Sequence, residues 1–418
     1  MITFARLKSI PSKIATWGIR GVIDYFLRLI RNARLRHYFL SNARKFPMTP
    51  QRGITIIAGM SSQTSLSKTI RDILTALKRL DIPYQTFNLD VHGCTIPSDD
   101  INGLQTQRKD FKILKYDHVL EMFSSPLPRE IPIKRSRIVF WEFDSGLLEY
   151  YPALANNDEM IGMSDFNVEV FHQLLPSTTP IRKLLYPFLS DIGNVPDSDT
   201  MRKKYGIPAT AFVVFFNFDF GSSFNRKNPD GALRAFAKAL KGVPETYLVF
   251  KTKGAKNHPK EFDSLLNLAS ELGVADQVRT INNYIPQRDL YGLTNACDIY
   301  LSLHRGEGFG LGIAEAMSLG KAVIVTDYSA PTEFCNRENS IPVPYQLVDI
   351  PSAMHDHACY LHVRRWAEPD LNAAATAIRQ LYDNPTLRKE LGGKAKAFIQ
   401  EHFSDENFRK SVNSFLDS

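Results

Sequence analysis

Apolar and polar positions change rhythm along this chain. Between Ile14 and Arg36 apolar residues recur at helical spacing, with Val22, Ile23, Phe26, Leu27, Leu29 and Ile30 among them, and this predicts one amphipathic helix. From Gly53 onward short apolar runs alternate with helical periods. Ile54–Ala58 reads as a strand, the polar loop Gly59–Ser65 follows, and Leu66, Ile70, Ile73, Leu74, Leu77 and Leu80 mark a helix that Ile82-Pro83 ends. Further strands are expected at Tyr84–Leu89, His118–Phe123 and Ile138–Phe143. Turn residues at Pro187, Asp191–Asn194 and Pro196–Asp199 mark a linker.

Beyond the linker the alternation is more regular. Strands are expected at Phe212–Phe218, Tyr247–Lys251, Val278–Ile281, Ile299–Leu303 and Ala322–Thr326, with helices at Asp230–Leu240, Glu261–Leu272, Arg288–Asn295 and Gly312–Leu319. Strands separated by helices of this length form parallel sheets buried on both faces. The expected class is therefore α/β, with two Rossmann-like, doubly wound domains in series. The divisions are 1–50 for the basic amphipathic segment, 51–195 and 196–386 for the two domains, and 387–418 for a terminal helix crossing back to the first.

Composition adds a limit. With 44% hydrophobic and 23% charged residues in 418, the chain is expected to build real cores, which excludes a disordered or collagen-like protein. Cys94, Cys297, Cys335 and Cys359 are scattered and form no C-x-x-C pair, so a reducing cytoplasm fits better than a disulfide framework.

Charge is uneven. Ten Lys or Arg against Asp24 give residues 1–50 a net +9, so the whole chain's +7 leaves −2 for the rest, and a nucleic-acid-binding body is not indicated. Lys13, Arg20, Arg28, Arg31 and Arg34 fall within an arc of about 120° on the predicted helix. Beside Trp17, Tyr25 and Phe26 that stripe suits an anionic membrane surface, although a helix packed on the main body has the same periodicity. No apolar run reaches the roughly 18 residues of a membrane span, and the first fifty residues lack a secretory cleavage pattern.

The chemistry concentrates in two loops. Leu301–Glu315 (LSLHRGEGFGLGIAE) reads as strand, glycine-rich turn and helix, and Gly320 suits that helix's C-cap. In open parallel sheets such turns line the ligand crevice. Gly308 and Gly310 allow close backbone approach, the helix N-terminus favours a phosphate, and the carboxylates of Glu307 and Glu315 can accept hydrogen bonds from sugar and ribose hydroxyls. His304, Phe309 and Leu311 belong to the same turn. Glu315 could equally complement the helix dipole and Glu307 be solvated. The second loop, Phe218–Pro229 (FDFGSSFNRKNP), places Arg226 and Lys227 before a helix that Asn228 caps and Pro229 begins. There they can hold a diphosphate, or simply be solvated charges.

The first of these segments resembles the donor-site signature of glycosyltransferase family 4, among the group 1 glycosyl transferases. The likeness continues through Lys321–Asp327, Ser329–Phe334 and Trp366–Asp370 and covers most of residues 53–418, most strongly the second half. It implies the GT-B fold, two Rossmann-like domains facing a cleft, and retention of anomeric configuration. It also implies Glu307, Arg226 and Lys227 as catalytic residues, with Gly308, Phe309, Gly310, Leu311, Glu315, His304 and Lys251 around the donor. The family commonly has Arg where Ser222 stands, so Arg226 or Lys251 is expected to substitute. Arg137–Phe143 resembles the strand whose end faces the donor sugar, which makes Trp141 and Glu142 candidates, although Trp141 suits a core equally and relatives often carry a His there. Gly59 is a further, weaker candidate for the acceptor or sugar side.

Asp197-Ser-Asp199 has the form of a metal-binding D-x-D, but its place before a helix favours a cap. The expectation is thus a retaining, metal-independent hexosyltransferase without cofactor. It would move sugar from a nucleoside diphosphate to a saccharide or lipid-linked saccharide, as in cell-surface polysaccharide biosynthesis, in the cytoplasm or peripherally on the inner membrane face. The alternative is a non-catalytic sugar-nucleotide-binding protein of the same fold.

Overall fold

The computed structural model describes residues 37, 51–60, 64–88, 116–122, 134–150, 154, 158–187, 192, 195–354 and 362–417. The basic helix expected over 14–36 lies outside the described residues, as do positions 61–63 of the loop after the first strand. Contacts gather the described residues of Met1–Val139, Asn157–Met160 and Asn413–Ser418 into one unit and those of Phe140–Asn156 and Ile161–Val412 into another.

In the first half β1 (Gln51–Ala58) leads into α1 (Ser65–Arg79), β2 (Tyr84–Asn88), β3 (Tyr116–Met122) and β4 (Lys134–Ile138), then β5 (Glu159–Gly162), α2 (Asp165–Leu174) and β6 (Ile181–Lys183). The six strands lie in the order β2-β1-β3-β4-β5-β6, with β1 parallel to β2 and β3, and β3 parallel to β4. The Thr64 hydroxyl accepts the Ser67 N–H and so starts α1, which buries Ile70, Ile73, Leu74 and Leu77.

The strand expected through Phe143 ends at Ile138. Beyond it the backbone bonds elsewhere: the Trp141 carbonyl accepts from Asn167 Nδ2 at 2.8 Å, and the Trp141 indole N–H donates to the Ser145 carbonyl at 3.0 Å.

The second half contains α3 (Ser198–Lys204), β7 (Phe212–Asp219), α4 (Phe224–Lys227), α5 (Pro229–Leu240), β8 (Thr246–Lys253), α6 (Pro259–Glu271), β9 (Val278–Asn282) and α7 (Gln287–Asn295). There follow β10 (Ile299–Ser302), α8 (Leu311–Ser318), β11 (Ala322–Thr326) and β12 (Ile341–Val343). The sheet order is β12-β11-β10-β7-β8-β9, and each strand runs parallel to its neighbours. Phe215, Phe216 and Phe218 of β7 are all buried, as expected for a strand covered on both faces. Strand order reverses between β7 and β10, and it is at such a switch point, beyond the carboxyl ends of the strands, that doubly wound sheets bind ligands.

An antiparallel pair the sequence did not announce follows: β13 (Tyr345–Asp349) with β14 (Arg365–Pro369). The chain closes with α9 (Leu371–Asp383), α10 (Pro385–His402) and α11 (Asp405–Leu416). The last residues of α11 belong to the first unit, where the Phe415 ring meets His118 edge-on at 5.5 Å. Among the described residues no helix is long and apolar enough to cross a membrane.

Candidate active site

The loops after β7 and β10 flank the switch point. Asp219 accepts the Gly221 N–H at 2.9 Å, and the stacked rings of Phe220 and Phe224, 5.7 Å apart, hold the first loop to the core. Ser223 then accepts the Arg226 N–H at 3.1 Å. Asn228 ends α4 in the left-handed region, at φ 58°, and its side chain caps α5 through the Gly231 N–H at 3.0 Å. Its Nδ2 also donates to the Leu303 carbonyl at 2.9 Å. The Arg305 N–H reaches the Arg226 carbonyl at 2.8 Å, so the two loops are bonded together.

Arg226 is buried and donates to the carbonyls of Gly306 at 2.7 Å and Ser222 at 2.9 Å. Its guanidinium lies 3.7 Å from the Glu307 carboxylate and 3.6 Å from that of Glu142. The Lys227 ammonium donates directly to Glu307. Burial alone would raise the Glu307 carboxyl, but Lys227, Arg226 and His304 outweigh it and hold the group at about 2. Burial pulls Lys227 down, Glu307 opposes that, and Arg226 adds repulsion. Glu142 is raised by burial, with Arg226 pulling down and Glu307 pushing up. Two basic side chains, Arg226 and Lys227, therefore converge on the carboxylate of Glu307, with that of Glu142 beside them.

Around this cluster the other sequence candidates take distinct places. His304 is fully buried between Ser302 Oγ and the Tyr328 carbonyl, each at 3.1 Å, and burial pushes it to about 4. Those partners assign the proton to Nε2. Glu315, in the second turn of α8, is buried with Gln287 Nε2 at 3.3 Å from Oε1. After burial itself, Glu315 and Glu307 are the next causes that push the Tyr300 phenol well above its usual range.

Leu311 is half-buried at the start of α8, whose N-cap Gly310 adopts φ 92° and supplies no side-chain cap. Gly308 also meets a packing need, because a Cβ there would approach Phe140 Cβ at 2.9 Å. Phe309 is also packing, stacked on Tyr186 at 4.7 Å and beside Phe334 and Phe403. Lys251 stands on β8 with Nζ on the Thr252 carbonyl at 2.9 Å, and burial, reinforced by Lys253, lowers it to about 8. Trp141 is buried against Phe143, so it packs. Gly59 lies in the first unit just after β1, its carbonyl accepting from Ser67 Oγ at 2.8 Å. Asp197 caps α3 through the Thr200 N–H at 2.9 Å. Among the described residues no three His, Cys, Asp or Glu gather as a metal site.

Two supporting residues, Ser329 and Glu333, lie in the Ser329–Phe334 segment of the resemblance, where the sequence assigned them no role. Ser329 Oγ accepts the Glu307 N–H at 2.9 Å. Glu333 bonds Lys183, the Asp165 N–H at 2.9 Å and His402 at 3.2 Å. These partners lie 150, 168 and 69 residues away, beyond any local spacing rule.

Residues 197–341 match the family described as glycosyl transferases group 1. The D-inositol 3-phosphate glycosyltransferase of Corynebacterium aurimucosum is 28% identical over 211 residues, 49% of this chain and 44% of that one. The serotype-specific mannosyltransferase WbdA of Escherichia coli is 27% identical over 174 residues, 40% of this chain and 20% of that one. The chain thus spans less than half the length of these curated relatives.

Among solved structures, Alr3699/HepE of Anabaena, crystallised with UDP and glucose, superposes at a TM-score of 0.61 with 14% identity, covering 88% of this chain and all of its own. A glycosyltransferase of Rickettsia africae gives 0.61 with 15% identity, covering 88% and 98%. These likenesses establish the GT-B fold.

Proposed function

From the membership of residues 197–341 in the group 1 glycosyl transferases, we propose that this protein moves a sugar from a nucleoside diphosphate to a saccharide or lipid-linked saccharide, with retention and without a bound metal. The observation that carries the reading is the convergence of Arg226 and Lys227, from the loop after β7, on the carboxylate of Glu307, from the loop after β10, at the switch point.

A nucleoside diphosphate leaves as a dense anion, and fixed cations aimed at it act mainly on the transition state. In this reading Arg226 and Lys227 hold the diphosphate, Glu315 the ribose, and Glu307 with the Gly308–Gly310 backbone the sugar. The bond from the anomeric carbon to the phosphate oxygen breaks. An acceptor hydroxyl then bonds that carbon on the same face and passes its proton to the departing phosphate. Ser222 donates no charge, so Arg226 at the mouth of the same loop takes the second cationic place. The names of the relatives, with UDP and glucose bound in Alr3699/HepE, support this class of donor.

The test is release of nucleoside diphosphate from UDP-, GDP-, ADP- and dTDP-sugars. Glu307→Gln is expected to lower kcat by about 100- to 1,000-fold, in the range of a lost transition-state contact, with the fold retained in circular dichroism and a lower melting temperature, because Arg226 and Lys227 lose a buried counter-charge. Activity is expected to persist in EDTA, and loss restored by Mg²⁺ or Mn²⁺ would remove the metal-independent part. Tight binding of a sugar nucleotide with no release under any condition would leave a binding protein instead.

A further inference from the structure

The β13–β14 pair carries a surface to which the transfer chemistry gives no role. Tyr345 and Leu347, two residues apart and so on one face of β13, are 37% and 39% exposed. The Tyr345 ring leans on Tyr328 with centroids 5.1 Å apart. Asp144 approaches Arg365 at 3.1 Å, and Asp327 is exposed immediately before Tyr328.

Tyr328 itself is only 7% exposed, and its hydroxyl is buried without a hydrogen-bond partner among the described residues. Burial first, then Asp144 and Tyr345, push this phenol well above its usual range, so it stays protonated as a donor. A buried hydroxyl left unpaired is costly and calls for an explanation. The surface is also tied to the loops described above. The Tyr328 carbonyl faces His304, Ser329 accepts from Glu307, and Glu368 of β14 binds Arg305 through two bonds of 2.6 and 2.9 Å.

Resting on the glycosyltransferase reading, we propose that Tyr345 and Leu347, with Tyr328 packed behind the Tyr345 ring and with Asp144 and Asp327 beside them, form a platform for the acceptor saccharide. A pyranose has one face of C–H groups, which matches an exposed ring beside a leucine, and a rim of hydroxyls, which match carboxylate acceptors. Because Arg365 already balances Asp144, a neutral sugar fits better than an anionic headgroup, which Asp144 and Asp327 would repel.

Saturation-transfer NMR on the full chain tests this, with the methyl α-glycosides of glucose, mannose and galactose and their α-linked disaccharides as probes. At least one probe is expected to receive saturation. Removing about 1 kcal/mol of contact weakens an equilibrium roughly five-fold, which is the loss expected for Tyr345→Ala, while Tyr345→Phe keeps the signal.

No contact with any probe, or equal contact in Tyr345→Ala, overturns the proposal, as does self-association that Leu347→Ala abolishes without any saccharide contact. Nucleotide binding, followed by thermal shift with UDP, GDP, ADP and dTDP, should be unchanged in all these variants. If the unmodified chain binds none of the nucleotides while saccharide contact still depends on Tyr345, the platform stands and the glycosyltransferase reading falls.

Discussion

His304 is a charge-neutral strut between two loops, and its environment gives it a pH signature. The folded pKa of about 4 lies below the ordinary 6.5, so between these values the unfolded chain binds a proton that the folded chain does not. The contribution is complete above pH 6.5 and is lost as pH falls through 4, a change on the order of 3 kcal/mol for this shift. Denaturant unfolding at pH 7 and 4.5 should show the loss, and His304→Gln, which can keep both hydrogen bonds, should flatten it; an equal slope in the variant would assign the effect elsewhere.

The glycines teach a related lesson at this scale. The sequence predicts close backbone approach at Gly308, and the fold adds a second reason for glycine there, because a Cβ would meet Phe140. Sequence spacing identifies a position that needs Gly, but not which neighbour requires it.

Asn228 does the work of two caps, closing α4 in a left-handed conformation and opening α5. Asn228→Ala removes the cap and leaves at positive φ a residue without the polar side chain that lets Asn tolerate the left-handed region, which together should cost about 2 kcal/mol. Asn228→Gly should recover much of this by relieving the backbone, so a lower melting temperature for Gly than for Ala would contradict the account. Asn228 and Pro229 were legible because capping is local chemistry, and β11 matches its expected span of Ala322–Thr326 for the same reason: a short apolar run between turn residues. The Phe140–Phe143 segment misled because its apolar residues satisfy a strand pattern while its backbone bonds go to Asn167 and other partners outside a ladder. β13 and β14 escaped because fifteen residues of chain, 350–364, separate two strands that pair only with each other.

Two parallel sheets were readable for the whole molecule because each strand and helix announces itself by period. Where the two units divide was not, since Phe140–Asn156 joins the later unit through contacts distant in sequence. The convergence of Arg226, Lys227 and Glu307 was expected from two loops eighty residues apart, while the knot at Glu333 depends on partners that only the fold brings together. Residues 1–50 carry a net charge of +9. If this segment reads an anionic membrane, flotation with phosphatidylserine vesicles should be lost on deleting it and weaken as salt rises; binding that survives the deletion would place the membrane contact elsewhere.

The interleaving of the two units bears on how the protein is made. A domain completed early in synthesis can fold while the rest of the chain is still within the ribosome. Here Phe415 is needed beside His118, and His402 beside Glu333, so neither half acquires all its contacts until the final turns of helix have emerged. Nascent chains arrested before residue 400 should therefore be cut by protease in both halves, and release of the last helix should protect them together.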